Sequence, residues 1–419
     1  MMNVLQKQIV IIGGGFAGLQ IAKYLANSHF KILLIDKKNY HQFQPLFYQV
    51  ASAGLEPSSI SFPFRKIFQG VKNIEILWDE VIEIQPESNS IKTNAHSITY
   101  EKLIIASGCT TNYFGNEKIK SFSLPMKTTE EAIVIRNRVL SSFEEYTHAT
   151  EEEKEYLNNI VIVGAGPTGV ELSGSFAEMR DTILPKDYPH TDFSNIKIIL
   201  IEGSPNTLNS MSDASRKNAR LYLEKLGVLV KTETVVKDYD GKTIVLNTGE
   251  TILCKNLIWA AGVSGNIIKG LPQDTLQKNR YLVNRFNQIK GFNNIYALGD
   301  VALMITPKYP YGHPQVANVA INQGKNLAKN LINAAQEKPL IEYEYNDLGS
   351  MATIGKNKAV VEMFNVKIQG RIAWYIWMFL HLMLILSVRN KIIVFINWAW
   401  SYFITDSSLR LIFSAKEKK

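Results

Sequence analysis

One pattern occurs twice in this chain, and few folds can hold it twice. Gln8-Ile-Val-Ile-Ile12 runs into Gly13-Gly14-Gly15-Phe16-Ala17-Gly18 and a helix-like stretch from Leu19 to Ala26. Asn159-Ile-Val-Ile-Val163 runs in the same way into Gly164-Ala165-Gly166-Pro167-Thr168-Gly169, followed by Val170 to Met179. Each copy reads as a buried parallel strand, a GxGxxG turn and the start of a helix. In such a unit Gly13 or Gly164 permits the tight turn, and Gly15 or Gly166 lets backbone approach a pyrophosphate. Gly18 or Gly169 lets the helix pack against the strand, so that its positive end faces the phosphates. A carboxylate at the end of the next strand should then meet a ribose hydroxyl. Lys31-Ile-Leu-Leu-Ile35 ends in Asp36, 23 residues after Gly13. Ile198-Ile-Leu-Ile201 ends in Glu202, 38 residues after Gly164, the extra length being the polar stretch DTILPKDYPHTDFSN. The expected class is α/β with two Rossmann-like domains, and two dinucleotides are implied.

Composition narrows the partners. At 419 residues, 46% apolar and 20% charged, the chain is a folded protein of two to three domains, neither disordered nor multi-span. The net charge of +8 is uneven: from Asn346 to Lys419 ten Lys/Arg face four Asp/Glu, which is six of the eight positive charges. The folded body therefore lacks the basic excess of a nucleic-acid binder, and the tail needs its own explanation. Cys109 and Cys254 lie far apart with no CxxC, against both a Cys-rich metal site and an adjacent redox pair. The seven histidines show no HxxxH spacing and no EF-hand loop is present, so no metal is expected. The apolar run before Gly13 is too short for a signal peptide, and a reducing compartment is the expectation.

A third piece, Asn294-Ile-Tyr-Ala-Leu-Gly-Asp300, is a short strand ending in Gly-Asp. With two GxGxxG units and this late strand, the chain resembles the two-dinucleotide-binding-domain flavoproteins. That resemblance implies bound, non-covalent FAD at Gly13, Gly15, Phe16, Ala17, Gly18 and Asp36, with Asp300 on the ribityl or pyrophosphate portion. It implies NADH at Gly164, Gly166, Pro167, Thr168, Gly169 and Glu202. Leu103-Ile-Ile-Ala-Ser-Gly108 resembles the family's A-T-G stretch, with Ser107 for Thr, and adds Ala106 and Gly108 to the FAD set. Leu257-Ile-Trp-Ala-Ala-Gly262 resembles its counterpart closing the NADH domain and adds Gly262. The implied layout is FAD domain 1–120, NADH domain 121–279, FAD domain again 280–345 and a membrane-anchoring region 346–419.

Within that family the chain resembles the type II (non-pumping, alternative) NADH:quinone oxidoreductases, essentially from Lys7 to Leu411. The stretches that carry this are Asp36 to Ala51, Gly164 to Glu171, Ile258 to Val263, Gly312 to Gly324 and the aromatic C-terminus. His41 to Ala51 is an aromatic, proline-pinned loop suited to packing along a flavin, which makes Gln44 and Pro45 further FAD candidates. The family's quinone motif A-Q-x-A-x-Q corresponds to Ala317-Asn318-Val319-Ala320-Ile321-Asn322, with asparagine at both glutamine positions. Asparagine keeps the amide at shorter reach, Ala317 and Ala320 are small enough for a flat ring to approach, and Gln315 upstream offers a spare amide. Glu171 reads on its own as a carboxylate at a helix N-terminus. The resemblance implies instead a catalytic position between nicotinamide and flavin, orienting substrate and relaying protons.

The tail is greasy from Arg371. Ile372 to Val388 gives 17 residues interrupted by His381 and Ser387, and Ile392 to Ile404 another 13 after Arg389-Asn-Lys391. A spanning helix wants about 20. Four of the six tryptophans (Trp374, Trp377, Trp398, Trp400) lie here, flanked by Arg371, Arg389, Lys391, Arg410 and Lys416 to Lys419. Two interfacial helices on an anionic leaflet are the expectation. A spanning hairpin and a dimer interface or core lid are the alternatives, and a homodimer is compatible with the resemblance. His381 reads as a satisfied polar residue. The function implied is a monotopic flavoenzyme on the cytoplasmic face of the bacterial inner membrane, oxidising NADH through FAD and reducing quinone without pumping. The alternative is an AIF-like NADH-binding sensor or scaffold with slow turnover.

Overall fold

A computed structural model describes residues 4–364, 366–404 and 409–413. The chain divides into two units, each assembled from three separated segments. The first takes the residues up to Gln42, Phe62–Thr110 and Val263–Asp347; the second takes Phe43–Ser61, Thr111–Gly262 and the residues from Leu348 on. The expected domain boundaries at 120/121 and 279/280 lie further along than these crossings. The helix Glu117–Phe122 belongs with the second unit because Asn116 caps it and also donates to the Lys237 carbonyl. The loop 43–61 and the tail also fall in the second unit.

The first unit is built on five parallel strands in the order Ile74–Trp78, Ile32–Asp36, Val4–Ile12, Ser97–Ile105, Ile295–Ala297. Ile12 stands level with Ile35 on one side and Ile105 on the other. These strands are runs of Ile, Val and Leu because both faces are covered. Val10, Ile12, Leu33, Ile35, Leu103 and Ile105 share one buried cluster with Ile295 and Ala297. An antiparallel extension, Ser90–Thr93 and Val81–Gln85, continues the sheet. The helix Phe16–Leu25 leaves the first glycine turn, and the helix Ala317–Ala335 crosses it closely: a side chain on Gly324 would meet the Ala17 carbonyl oxygen at 2.8 Å.

The second unit repeats the plan. Its parallel sheet runs Leu124–Pro125, Asn256–Trp259, Asn159–Val163, Lys197–Ile201, Val228–Lys231, with the helix Pro167–Glu178 after the second glycine turn. This doubled α/β architecture with its C-terminal helices is the fold class expected. A three-stranded antiparallel sheet, Ser350–Thr353, Ala359–Met363 and Val366–Gln369, carries the tail helix Arg371–Leu384. Ala373 is buried on Ala359 and Val361.

The second tail helix, Val388–Ile404, begins before the Arg389-Asn-Lys391 stretch expected to separate the two. Ser387 is the reason: its carbonyl accepts from the Lys391 N–H at 2.9 Å, starting the helix one turn early. Asn390 then reaches the Ser58 and Ser59 carbonyls at 3.0 Å each. No helix among the described residues is long and apolar enough to cross a membrane. Two of the four tail tryptophans are corrected from headgroup to core: Trp377 is 1% and Trp398 8% exposed, whereas Trp400 is 60% exposed. Lys416 to Lys419 lie outside the described residues.

Candidate functional site

The two glycine turns have matching geometry. Gly13 N–H donates to the Ile35 carbonyl at 2.8 Å, and Gly164 N–H to that of Ile201 at 2.8 Å. Both glycines hold positive φ, +96° and +101°, and a Cβ on either would run into the next strand's end at Ala106 or Ala260. A Cβ on Gly18 or Gly169 would strike the carbonyl of Gly13 or Gly164. Those four glycines are required by the protein itself. Gly15 and Gly166 differ: a Cβ there meets nothing within 4 Å, and φ is −66° and −70°. The protein alone has no need of glycine at these two positions, whereas a pyrophosphate lying across the helix N-terminus does. The cradle therefore fits a dinucleotide in both units.

The acids repeat as well. Asp36 accepts from Gly14 N–H at 2.6 Å and Lys38 N–H at 2.7 Å; Glu202 accepts from Ala165 N–H at 2.7 Å and Ser204 N–H at 2.8 Å. Each carboxylate oxygen keeps a lone pair for a ribose hydroxyl. Burial raises the Asp36 pKa against the pull of these N–H groups and of Lys37 and Lys38. Phe16 packs edge-on to His41 at 5.3 Å, and His41, buried and pushed down to about 4, contacts the Gly14 carbonyl through Nδ1 at 2.9 Å. Gly108 and Gly262 match in conformation, with φ +70° and +68°, and Ser107 donates to the Asn266 carbonyl at 2.7 Å.

Asp300 follows Gly299, whose N–H donates to Gln323 Oε1 at 2.7 Å. Gln323 was not a candidate from sequence, although its place one residue before the close-packed Gly324 was a usable signal. Cys109 Sγ donates to Asp300 Oδ2 at 3.0 Å, and burial pushes the Cys254 thiol up to about 12. Both are free. Gln315, expected as a spare amide, is committed to the Asp300 carbonyl at 2.9 Å. Ala320 is buried with its methyl against Gly299, and Ala317 is half-buried. Asn318 and Asn322 are half-buried on one helix face, and among the described residues neither amide makes a hydrogen bond within the protein. Gln44, exposed, and Pro45 stand in the second unit, in a short turn before buried Phe47 and Tyr48.

Glu171 is buried in the second turn of the Pro167–Glu178 helix. Burial pushes its pKa up to about 8, overriding the Thr353 N–H at 3.4 Å and the Trp377 indole, whose Nε1 finds no acceptor at hydrogen-bonding geometry. Burial thus favours the neutral carboxyl, unlike a solvated carboxylate at a helix start. Gln49 Nε2 donates to Tyr48 Oη at 2.8 Å and Trp398 Nε1 to Gln49 Oε1 at 2.7 Å. His381 stacks on Trp377 at 4.0 Å with Nδ1 2.8 Å from the Trp377 carbonyl, a satisfied polar group that burial holds at about 4. Among the described residues no group of three or more His, Cys, Asp or Glu is placed to hold a metal.

Comparison with known proteins bears on this arrangement. Residues 7–324 match the pyridine nucleotide-disulphide oxidoreductase family and residues 348–405 the NDH2 C-terminal domain. Two Mycobacterium tuberculosis proteins, the type II NADH:quinone oxidoreductases Ndh and NdhA, are 31% and 34% identical to the chain. The matches cover 95% and 94% of it, and 88% and 87% of theirs. A structure of Plasmodium falciparum NDH2 in complex with NADH shares the fold at TM-score 0.90 and 21% identity, over 97% of this chain and 100% of that one. The sulfide:quinone oxidoreductase of Aquifex aeolicus shares it at TM-score 0.72 and 20% identity, over 96% of each chain.

Proposed function

The chain belongs to the pyridine nucleotide-disulphide oxidoreductase family, and within it to the type II NADH:quinone oxidoreductases, and we propose that it is a membrane-surface enzyme oxidising NADH and reducing a quinone to quinol without pumping protons. The carrying observation is the doubled cradle, with an open second glycine and a loop-bound acid in each unit. FAD, when bound, supplies the chemistry: it takes hydride from NADH and returns two electrons to the quinone. Gly13, Gly15, Phe16, Ala17, Gly18, Asp36, Ala106, Gly108 and Asp300 would hold it. Gly164, Gly166, Pro167, Thr168, Gly169, Glu202 and Gly262 would bind and orient NADH. Neutral Glu171 keeps a proton to donate and excludes a charge from its surroundings. Asn318 and Asn322 offer their amides to a quinone carbonyl, and the apolar outer faces of the tail helices support docking on a lipid surface. We assign that surface to the cytoplasmic leaflet of a bacterial inner membrane.

Steady-state assay with NADH and a short-chain quinone tests this: sustained, flavin-dependent quinone reduction is expected, and NADH binding with negligible turnover overturns it. NADH should be preferred over NADPH by about 100-fold in kcat/KM, because Glu202 beside a 2′-phosphate is a like-charge juxtaposition costing several kcal/mol. Glu202→Gln, which keeps one carbonyl acceptor for the loop N–H groups, should narrow that ratio; equal efficiency in the unaltered enzyme would refute the assignment.

Asn318→Leu or Asn322→Leu should slow flavin reoxidation by quinone by about tenfold, the worth of one hydrogen bond, and leave flavin reduction by NADH nearly unchanged. Stopped-flow separates the halves. A defect confined to the reductive half removes these residues from the quinone site.

A further inference from the structure

Four side chains of the first unit converge on the turn that carries Asp300: those of Cys109, Arg280, Gln315 and Gln323. The strand Ile295–Ala297 lies parallel beside Ser97–Ile105 with Ala297 level with Ile105, so the residues just past both ends come together. Cys109 follows one end and Asp300 the other, and the thiol donates to Asp300 Oδ2 at 3.0 Å. The main chain around the carboxylate is tied down as well. Gln323 Oε1 accepts from Gly299 N–H, and Gln315 Nε2 donates to the Asp300 carbonyl at 2.9 Å. Arg280 Nη2 donates to the Ala302 carbonyl, and to that of His313 at 3.2 Å. Arg280 is 8% exposed, and among the described residues its Nε finds no acceptor. A buried guanidinium is costly unless a negative charge answers it. Burial lowers its pKa, and the groups that pull it back up are Asp300 and Cys109. Among the described residues the thiol is the donor bonded to the carboxylate, so Oδ1 keeps its lone pairs for a hydroxyl.

We infer that Cys109 is a positioning residue for the flavin: its thiol hydrogen orients the Asp300 carboxylate, on a main chain held by Gln315, Gln323 and Arg280, and leaves the other carboxylate oxygen to a flavin hydroxyl. This rests on the assignment of Asp300 to the flavin proposed above and adds a residue that acts through it. A carboxylate free to rotate would lose that freedom each time flavin binds, and the thiol moves the loss from binding to folding. A thiol suits the place because it donates without setting a second positive charge beside Arg280.

The test uses flavin-loaded full-length protein and reads the rate at which FAD leaves it. Release is followed as the rise of flavin fluorescence after dilution, with far-UV circular dichroism as the control for folding. Cys109→Ala removes the donor and should speed release about fivefold, the worth of one modest hydrogen bond, with the dichroism spectrum unchanged. Cys109→Ser restores a donor and should bring the rate back to within about twofold of the unaltered enzyme. A side chain that only fills space predicts no such rescue. Asp300→Ala is the second arm. It should speed release by at least about tenfold, and adding Cys109→Ala to it should cost nothing further, because Cys109 acts through the carboxylate that is gone. Unaltered release in Cys109→Ala, equal losses in the alanine and serine variants, or additive losses in the double variant overturn the proposal while Asp300 keeps its place. Unaltered release in Asp300→Ala removes Asp300 from the flavin, and the underlying assignment falls with the proposal. Should Asp300→Ala fold poorly, the comparison of alanine with serine at Cys109 decides alone.

Discussion

Gly15→Val is expected to yield a folded protein that purifies without its flavin. The side chain enters space where no protein atom lies within 4 Å, and the backbone there, φ −66° and ψ −164°, is open to any residue. Folding therefore loses little, while a pyrophosphate at the helix N-terminus loses its approach. Displacing two charge-assisted hydrogen bonds, at about 1.5–3 kcal/mol each, weakens FAD by at least about 100-fold. Gly166→Val should do the same to NADH alone: flavin stays bound, dithionite reduces it, and NADH does not. The neighbouring glycines serve as controls with the opposite signature. Gly13→Val and Gly18→Val drive a side chain into the Ala106 or Gly13 carbonyl and should lower the melting temperature as well. The measurements are flavin absorbance per protein, thermal unfolding and reduction by NADH. A folded Gly15→Val protein with full flavin occupancy overturns the first cradle.

What could be seen in the sequence was what contiguous residues build. A glycine turn, the helix after it and an acid one strand later need a single βαβ unit, so the letters stand in their working order. Gly15 and Gly166 show this most clearly, because their lack of any protein contact is the structural form of a requirement already visible in the spacing. The Asp300 turn was visible for the same reason, but its support was not: Gln323 reaches Gly299 from another segment, and only the helix period relates it to Ala320.

The Trp398–Gln49–Tyr48 chain and the surroundings of Glu171 were hidden because no single segment contains them. Gln49 and Trp398 are 349 residues apart, and Glu171 and Thr353 182. Nothing in local pattern marks Thr353, an ordinary strand residue whose N–H matters only through what lies across from it. Hydropathy also misread the tail where one helix has two duties. Trp377 and Trp398 contribute to an aromatic, basic-flanked composition, yet their rings pack on His381 and Tyr48 and bond Gln49. Periodicity separates the faces only once it is known which one meets the protein, and Ser387, rather than the charged residues after it, sets the phase of the second helix.

That two-faced tail changes how membrane attachment should be tested. Deleting the chain from Arg371 would remove buried Ala373, Trp377, Val394 and Trp398 together with the exposed residues, and would confound detachment with collapse. The outward face can be altered by itself. Phe379, Phe395, Trp400 and Phe403 are each more than half exposed, and replacing all four by serine leaves the core untouched. At about 1.5–3 kcal/mol for a fully buried large side chain, even half-buried in lipid the four supply several kcal/mol, so the variant should fail to float with anionic liposomes that carry the unaltered protein. The electrostatic share is smaller than the basic composition suggests. Arg410 is committed to Asp187, with Nη2 2.9 Å from Oδ1, which leaves Arg371, Arg389 and Lys391 at roughly 1 kcal/mol each among the described flanking residues. Salt screens that share and not the apolar one, so the unaltered protein should stay bound at high salt and leave in detergent. A long-chain quinone dissolved in the bilayer should then be reduced poorly by the serine variant, while ferricyanide reduction persists because the flavin and NADH cradles are unaffected. A folded, flavin-loaded variant that still floats at high salt would move the anchor off this face.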